Sequence, residues 1–353
     1  MRWARAPCDD PRAMYLSVID QSPVPAGSTP ADALRNTIEL ARLADRLGYR
    51  RYWIAEHHAM ETLASPAPEI LIARIGAETR HIRLGSGGVM LPHYSPLKVA
   101  ETFRMLETLS PGRIDLGIGR APGSDQWTAR ALQHGPGALG IEHFPGQIGL
   151  LMGFLGDDLP ADHPFAGIHA MPTGATVPEV WLLGSSDESA AYAAHFGCAF
   201  SFAHFINGEG GVAAMAAYRR DFQPSPRLAA PLGSVGVFVL CAETEEEARV
   251  VASSRDLSRL RRERGVLGPV PSVEEALAYP YSDRELAWLE YHRRRQFVGT
   301  PAQVRQGLVA LAAEYGVEEL VILSICHEFA KRVRSYELLA AAFELESIAS
   351  PRP

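Results

Sequence analysis

Cysteine is scarce in this chain. Cys8, Cys198, Cys241 and Cys326 are scattered over 353 residues without a Cys-x-x-Cys pair. That excludes a disulfide framework and a cysteine-based zinc site, and it fits free thiols in a reducing cytoplasm. No apolar run reaches transmembrane length, and Met1 to Pro11 lacks a signal-peptide core, so neither a membrane anchor nor a leader is expected. Positive charge is also short. Against 41 Asp and Glu stand 34 Lys and Arg, a formal net charge of −7, and no basic block dominates. A nucleic-acid surface is therefore not expected. The single arginine-rich run, Arg259 to Arg264, is broken by Leu260 and Glu263 and reads as a solvated helix face. Repeats and low-complexity linkers are absent.

What is present is an ordinary globular composition, 47% hydrophobic and 21% charged. After a short lead-in over residues 1–13, strand-like runs alternate with amphipathic helices. The expected strands are 14–20, 52–56, 82–87, 113–119, 180–183, 198–203, 234–241 and 319–325. No hairpin turn joins any of them to its successor. Helices are expected between them, as at Thr29 to Leu47, where Thr29-Pro30 supplies an N-cap with proline at N1 and Gly48 the stop. Eight parallel strands with covering helices predict an α/β fold, a (β/α)8 TIM barrel with insertions in its C-terminal-face loops, as one domain over 14–350. An open doubly wound sheet of this length would more often divide in two. Two insertions stand out: the Gly-, Pro- and His-rich middle, and a long excursion from Leu257 to Phe297.

Ligands of such a barrel sit at the C-terminal ends of its strands, so the residues there carry the chemistry. The second strand ends in Glu56-His57-His58, candidates for acid–base work because histidine titrates near neutrality. Metal ligation is the other reading. Adjacent strand residues point to opposite faces and no His-x-His accompanies them, so no metal is expected. The third strand runs into Gly87-Gly88, where the missing Cβ atoms let a flat or charged ligand approach the backbone. Arg120 follows the fourth strand, suited to a phosphate or carboxylate, or to an ordinary ion pair with a loop carboxylate. Gly184-Ser185-Ser186 and Ser189 lie where the fifth strand meets a helix, which fits either a phosphate cradle or a plain helix cap. Three strand ends would thus converge on one planar, phosphate-bearing ligand. No Gly-x-Gly-x-x-Gly dinucleotide fingerprint is present. Trp53, Phe202 and Phe205 are candidates for cavity wall or for core.

Leu16 to Pro23, Glu56-His57-His58, the Gly85-to-Pro96 segment, Pro111-Gly112-Arg113, Gly119-Arg120 and Gly299-Thr300-Pro301 together resemble the bacterial-luciferase-like flavin monooxygenases. The resemblance runs over nearly the whole chain and points to the single-subunit bacterial members, some of which tailor aromatic polyketides. It implies a barrel that binds reduced FMN (FMNH2), which reacts with O2 through a flavin C4a-peroxide to oxygenate a small organic substrate. It implies that His57 assists oxygenation and that Gly87-Gly88 forms a cis peptide against the flavin ring. Arg120, Ser186 and Ser189 match phosphate-binding positions. Ser185, with Gly184 beside it, falls where luciferase carries an acidic residue. Glu56 and His58 would stand in the substrate region or behind it.

The resemblance further implies a separate NAD(P)H:flavin reductase, a homodimer through helices near the second and third strands, and lid behaviour for residues 257–297. Two other readings remain beside it: an F420-dependent oxidoreductase and a non-catalytic flavin-binding protein.

Overall fold

A computed structural model describes residues 14–120, 125–133 and 140–346. The lead-in expected over 1–13, Cys8, and the end of the expected domain lie outside the described residues. Ten parallel strands are present: β1 (Tyr15–Asp20), β2 (Arg51–Ile54), β3 (Arg83–Ser86), β4 (Val89–Met90), β5 (Ile114–Gly119), β6 (Glu179–Gly184), β7 (Ala199–Ala203), β8 (Gly233–Cys241), β9 (Gln296–Gly299) and β10 (Glu319–Leu323). The order β1-β2-β3-β5-β6-β7-β8-β10 closes when β10 pairs with β1, giving the expected eight-stranded barrel. All eight barrel strands fall where the sequence expects them, to within two residues at each end.

The two additional strands were not expected. β4 resumes the line of β3 after the Gly87–Gly88 peptide and pairs with the upper half of β5. β9 pairs with the upper half of β8, Phe238 to Cys241, beyond the stretch that β10 uses. The excursion expected from Leu257 to Phe297 is largely helical. The helix Glu245–Glu263 runs through Leu257, and two further helices, Val273–Ala278 and Asp283–Arg293, precede β9. Each is capped by a serine, Ser272 or Ser282, whose hydroxyl accepts a backbone N–H three residues on. The middle insertion holds an apolar helix, Phe144–Gly156.

Alternation along each strand separates two apolar populations. Leu16, Val18, Tyr52, Ile54, Leu84, Ile114, Leu116 and Ile118 face outward and pack under the helices. Ile19, Trp53, Trp181, Ala199, Phe238 and Val321 fill the interior. Trp53 and Trp181 meet edge-to-face at 5.1 Å.

Beneath the tryptophans, at the N-terminal end of the barrel, the interior is ionic. Arg51 is buried and donates to Glu319 Oε1 at 2.8 Å, Asp115 Oδ2 at 2.9 Å and Glu179 Oε1 at 2.8 Å. Ser17 Oγ donates to Glu319 at 2.6 Å, and Arg83 pairs with Asp115 at 2.5 Å. The indoles join in, Trp53 Nε1 donating to Asp115 and Trp181 Nε1 to Glu179. Burial alone would raise the Asp115 pKa, but Arg51 and Arg83 outweigh it and hold the carboxyl below its usual value.

A second buried centre joins the barrel to its outer layer. Asp20 accepts from Arg332 Nη2 at 2.7 Å, Tyr52 Oη at 2.6 Å, Thr37 Oγ1 at 2.9 Å and the Ser22 amide at 2.8 Å. Among the described residues, no helix is long and apolar enough to cross a membrane.

Removing Arg51 would strand three carboxylates inside the barrel. Arg51→Met is expected to lower stability by about 3–5 kcal/mol, the usual cost of breaking a buried ion pair from one side. A urea denaturation midpoint within error of the parent protein would refute this.

Candidate active site

The strand ends meet around a cavity of about 340 Å³ at the C-terminal mouth. Its walls come from Gln21 and Pro23 after β1, His57 with Thr62 and Leu63 after β2, Phe205 after β7, Leu323 and Ile325 at and beyond the end of β10, and the helix Glu245–Glu263. The chain leaves strand geometry at Ala55, so Glu56, His57 and His58 lie on a loop and not on β2. The His57 amide donates to the Ser65 carbonyl at 3.1 Å, which fixes its backbone. Its ring lines the cavity with a buried Nδ1 that has no hydrogen-bond partner. Burial lowers the His57 pKa to about 4, with Arg262 and His58 adding repulsion. His57 is therefore neutral at physiological pH.

Glu56 turns the other way. It is buried and accepts from the Tyr94 hydroxyl at 2.8 Å and the Met90 amide at 3.2 Å, and its Oε1 lies 2.7 Å from His58 Nε2. These bonds tie the β2 loop to the segment after β4. Burial raises the Glu56 pKa, while His58, Tyr94 and the Met90 amide work against that rise. Glu56 and His58 hold the loop that carries His57, and neither lines the cavity.

The Gly87–Gly88 peptide is cis. A Cβ on Gly88 would stand 2.7 Å from the Gly117 carbonyl oxygen and 2.8 Å from Leu183 Cδ1. Glycine at 88 is thus required by the close approach of β5 and β6, whatever binds above it.

Arg120, at the end of β5, forms an ion pair with Glu188, which also accepts from Tyr192 Oη at 2.8 Å. Glu188 lies in the first turn of the helix Asp187–His195, whose N-cap is Ser186 with its Oγ accepting from the Ser189 amide at 3.5 Å. The hydroxyls of Ser186 and Ser189 are 3.4 Å apart. Gly184 makes room for Ser189, since a Cβ there would come within 2.2 Å of its Oγ. The Ser185 carbonyl accepts from Asn207 at 3.3 Å. Arg120 and the Ser186–Ser189 turn are brought together by the neighbouring strands β5 and β6, and neither lines the cavity. Both bland readings hold in this geometry, the helix cap and the loop ion pair.

These donors nonetheless suit a phosphate: one guanidinium and two hydroxyls beside a helix N-terminus. The competing carboxylate of Glu188 is exposed, and exposed pairs of this kind contribute about 0–1 kcal/mol, so a dianion can displace it. Trp53 and Phe202 are core residues, whereas Phe205 lines the cavity. Among the described residues, no cluster of three His, Cys, Asp or Glu could hold a metal.

The arginine run is the main revision. Arg259 and Arg262 line the cavity, and so does Arg255, which sequence reasoning passed over. Spacing was the available signal: residues 255, 259 and 262 share one face of a helix. Arg262 reaches the cavity from an exposed position, and Arg261 and Arg264 pair with Glu275 and Glu285 outside it.

Residues 14–319 match the family model for luciferase-like monooxygenases. The chain belongs to the luciferase-like monooxygenase family. It is 47% identical over 330 residues to the uncharacterized protein YceB of Bacillus subtilis (strain 168), an alignment covering 94% of this chain and 99% of that protein. Identity to the N-acetyl-S-alkylcysteine monooxygenase of the same organism is 39% over 332 residues, covering 93% and 97%. The crystal structure of apo-MsnO8 superposes with a TM-score of 0.87 at 43% identity, covering 96% of this chain and 99% of that one. As a luciferase-like monooxygenase, the protein is an oxidoreductase of the flavin-dependent monooxygenase kind.

The depressed His57 pKa has a consequence for folding. Its folded value is about 4 against 6.5 for the free ring, so the unfolded chain binds more protons in between. This contribution to stability is complete above pH 6.5 and is lost as pH falls toward 4. His57→Asn should lose less stability than the parent between these pH values in paired denaturation curves. An imidazole NMR titration of His57 with a midpoint near 6.5 would contradict the assignment.

Proposed function

We propose that this monooxygenase oxygenates a small organic substrate with O2 and FMN reduced by a separate NAD(P)H:flavin reductase. The observation that carries this reading is His57: neutral, facing a cavity with an apolar wall of Leu63, Phe205, Leu323 and Ile325, with an unpartnered buried Nδ1. When bound, reduced FMN supplies the electrons that activate O2. The chain's own residues supply placement and dryness. Arg120, Ser186, Ser189 and the amides from Gly184 through Ser185 hold the phosphate once Glu188 swings aside. Gly87 and Gly88 offer a backbone surface without side chains to the ring. His57 holds or passes a hydrogen bond at Nδ1, while Leu63, Phe205, Leu323 and Ile325 keep water out.

The exposed apolar residues Ile70, Met105 and Leu109 lie on the helices Pro68–Gly76 and Pro96–Leu109 and favour the homodimer through that face. Three buried free thiols, Cys198, Cys241 and Cys326, suit a cytoplasmic setting. The helices of the excursion are tied down by Arg261–Glu275, Arg264–Glu285 and Arg293–Asp256 pairs. A lid would open by breaking these, and flavin binding should then change the protease sensitivity of residues 264–295.

Anaerobic titration with FMNH2, followed by oxygenated buffer, tests the central reading. Tight binding and O2 consumption dependent on His57 are expected; His57→Ala should slow oxygenation about 10²–10⁴-fold. Binding of F420 in place of FMNH2, or stoichiometric flavin binding with no oxygen reactivity, would refute it. The phosphate cradle has its own test. Arg120→Ala is expected to weaken FMN at least about tenfold while leaving riboflavin, which lacks the phosphate, nearly unchanged. Equal losses for both ligands would remove Arg120 from the cradle.

A further inference from the structure

The mouth cavity has one wall that hydrophobic chemistry does not explain. On the helix Glu245–Glu263, Arg255, Arg259 and Arg262 recur at helical spacing and all line the cavity. Arg255 is 9% exposed, and its guanidinium lies over the Phe238 ring at 3.8 Å. The Nη1 atoms of both Arg255 and Arg259 are buried and have no hydrogen-bond partner. A buried guanidinium with unmet donors is costly unless a ligand satisfies it. Neighbouring charge relieves the deficit only in part. Asp256 attracts Arg255 but is itself engaged by Arg293 at 2.7 Å, and Arg295 and Arg262 repel Arg255. Glu263 also lines the cavity, but from its exposed rim. Burial lowers the Arg255 pKa to about 10, which leaves it charged at neutral pH.

We propose that this cavity selects an anionic substrate, a carboxylate or sulfonate, whose charged end is bound by Arg255 and Arg259 and whose apolar body lies along Leu63, Phe205, Leu323 and Ile325 toward His57. Calling the ligand a substrate rests on the monooxygenase reading; the anion site itself does not. A volume of about 340 Å³ suits a small organic acid. The guanidinium fork matches a carboxylate in two-point geometry, which fixes orientation as well as affinity. One other anion competes for the assignment, the cofactor phosphate. Its donors at Arg120, Ser186 and Ser189 lie outside the cavity lining.

Calorimetric titration of the FMN-loaded protein with hexanoate, hexane-1-sulfonate and hexan-1-ol tests this directly. The two anions should bind at least about tenfold more tightly than the alcohol. The double variant Arg255→Met/Arg259→Met should abolish that difference and leave FMN affinity unchanged, while Arg255→Lys/Arg259→Lys should keep part of it. The wild-type comparison needs no variant to fold. Equal binding of acid and alcohol overturns the proposal, as does a preference that survives in a folded methionine variant. Loss of FMN affinity in that variant, with riboflavin unaffected, would assign the arginines to the cofactor phosphate and equally overturn it. Should the protein refuse FMNH2 yet still prefer hexanoate over hexanol, the monooxygenase reading falls and the anion site stands.

Discussion

The contact on which the molecule most depends is Arg51 among three carboxylates at the closed end of the barrel. Arg51 stands at the start of β2, and its partners stand at the starts of β6 and β10 and near the start of β5. One guanidinium thereby links four of the eight strands across the interior, and Arg83 adds β3 through Asp115. Charged groups here cannot slide by one residue without turning outward, because strand side chains alternate. The layer therefore fixes register as well as closing the barrel floor. Trp53 and Trp181 stand directly on it, each sharing a carboxylate with the arginines through its indole N–H. Everything above, including Phe238 beneath Arg255 and Leu323 in the cavity wall, inherits that register.

At the open end the constraints are local and polar. Glu56 holds the β2 loop against the segment after β4, so His57 is positioned by a neighbour that does not face the cavity. The cradle after β5 and β6 is built the same way, with Ser186 capping its helix and Glu188 occupying Arg120. The cavity itself joins two kinds of wall, the arginine face of the helix Glu245–Glu263 and the apolar side chains Leu63, Phe205, Leu323 and Ile325, with the neutral histidine among them.

The barrel was legible because its signals are periodic. Each strand is a short apolar run, and many helices carry a proline, a cap or a glycine stop, as at Thr29, Pro30 and Gly48. Motif order then pointed to the strand ends as the place of the site. Three things were not legible. Arg51, Asp115, Glu179 and Glu319 lie hundreds of residues apart in places, and nothing local distinguishes a buried charge from a surface one. β4 and β9 are short strands whose existence depends on a neighbour's unpaired edge rather than on their own composition. Arg259 read as ordinary charge on a helix and Arg255 drew no notice, because the face they share is polar by sequence and is covered only by tertiary packing.

The way β9 returns to the sheet sets the excursion apart from the barrel ring. The chain leaves the end of β8, runs through three helices, and comes back to pair with that same strand, Phe238 to Cys241. The barrel circuit passes from β8 to β10 through other residues, Val235 to Phe238, and shares only Phe238 with the excursion. The intervening segment thus pairs in the sheet with one strand, and Val270 ties it to the loop after β1 by backbone hydrogen bonds with Val24 and Ala26. Its closure entropy grows only slowly with its length. The wall bearing Arg255 and Arg259 belongs to this segment, so the side chains that face the cavity from it lie outside the hydrogen-bonded ring of the barrel.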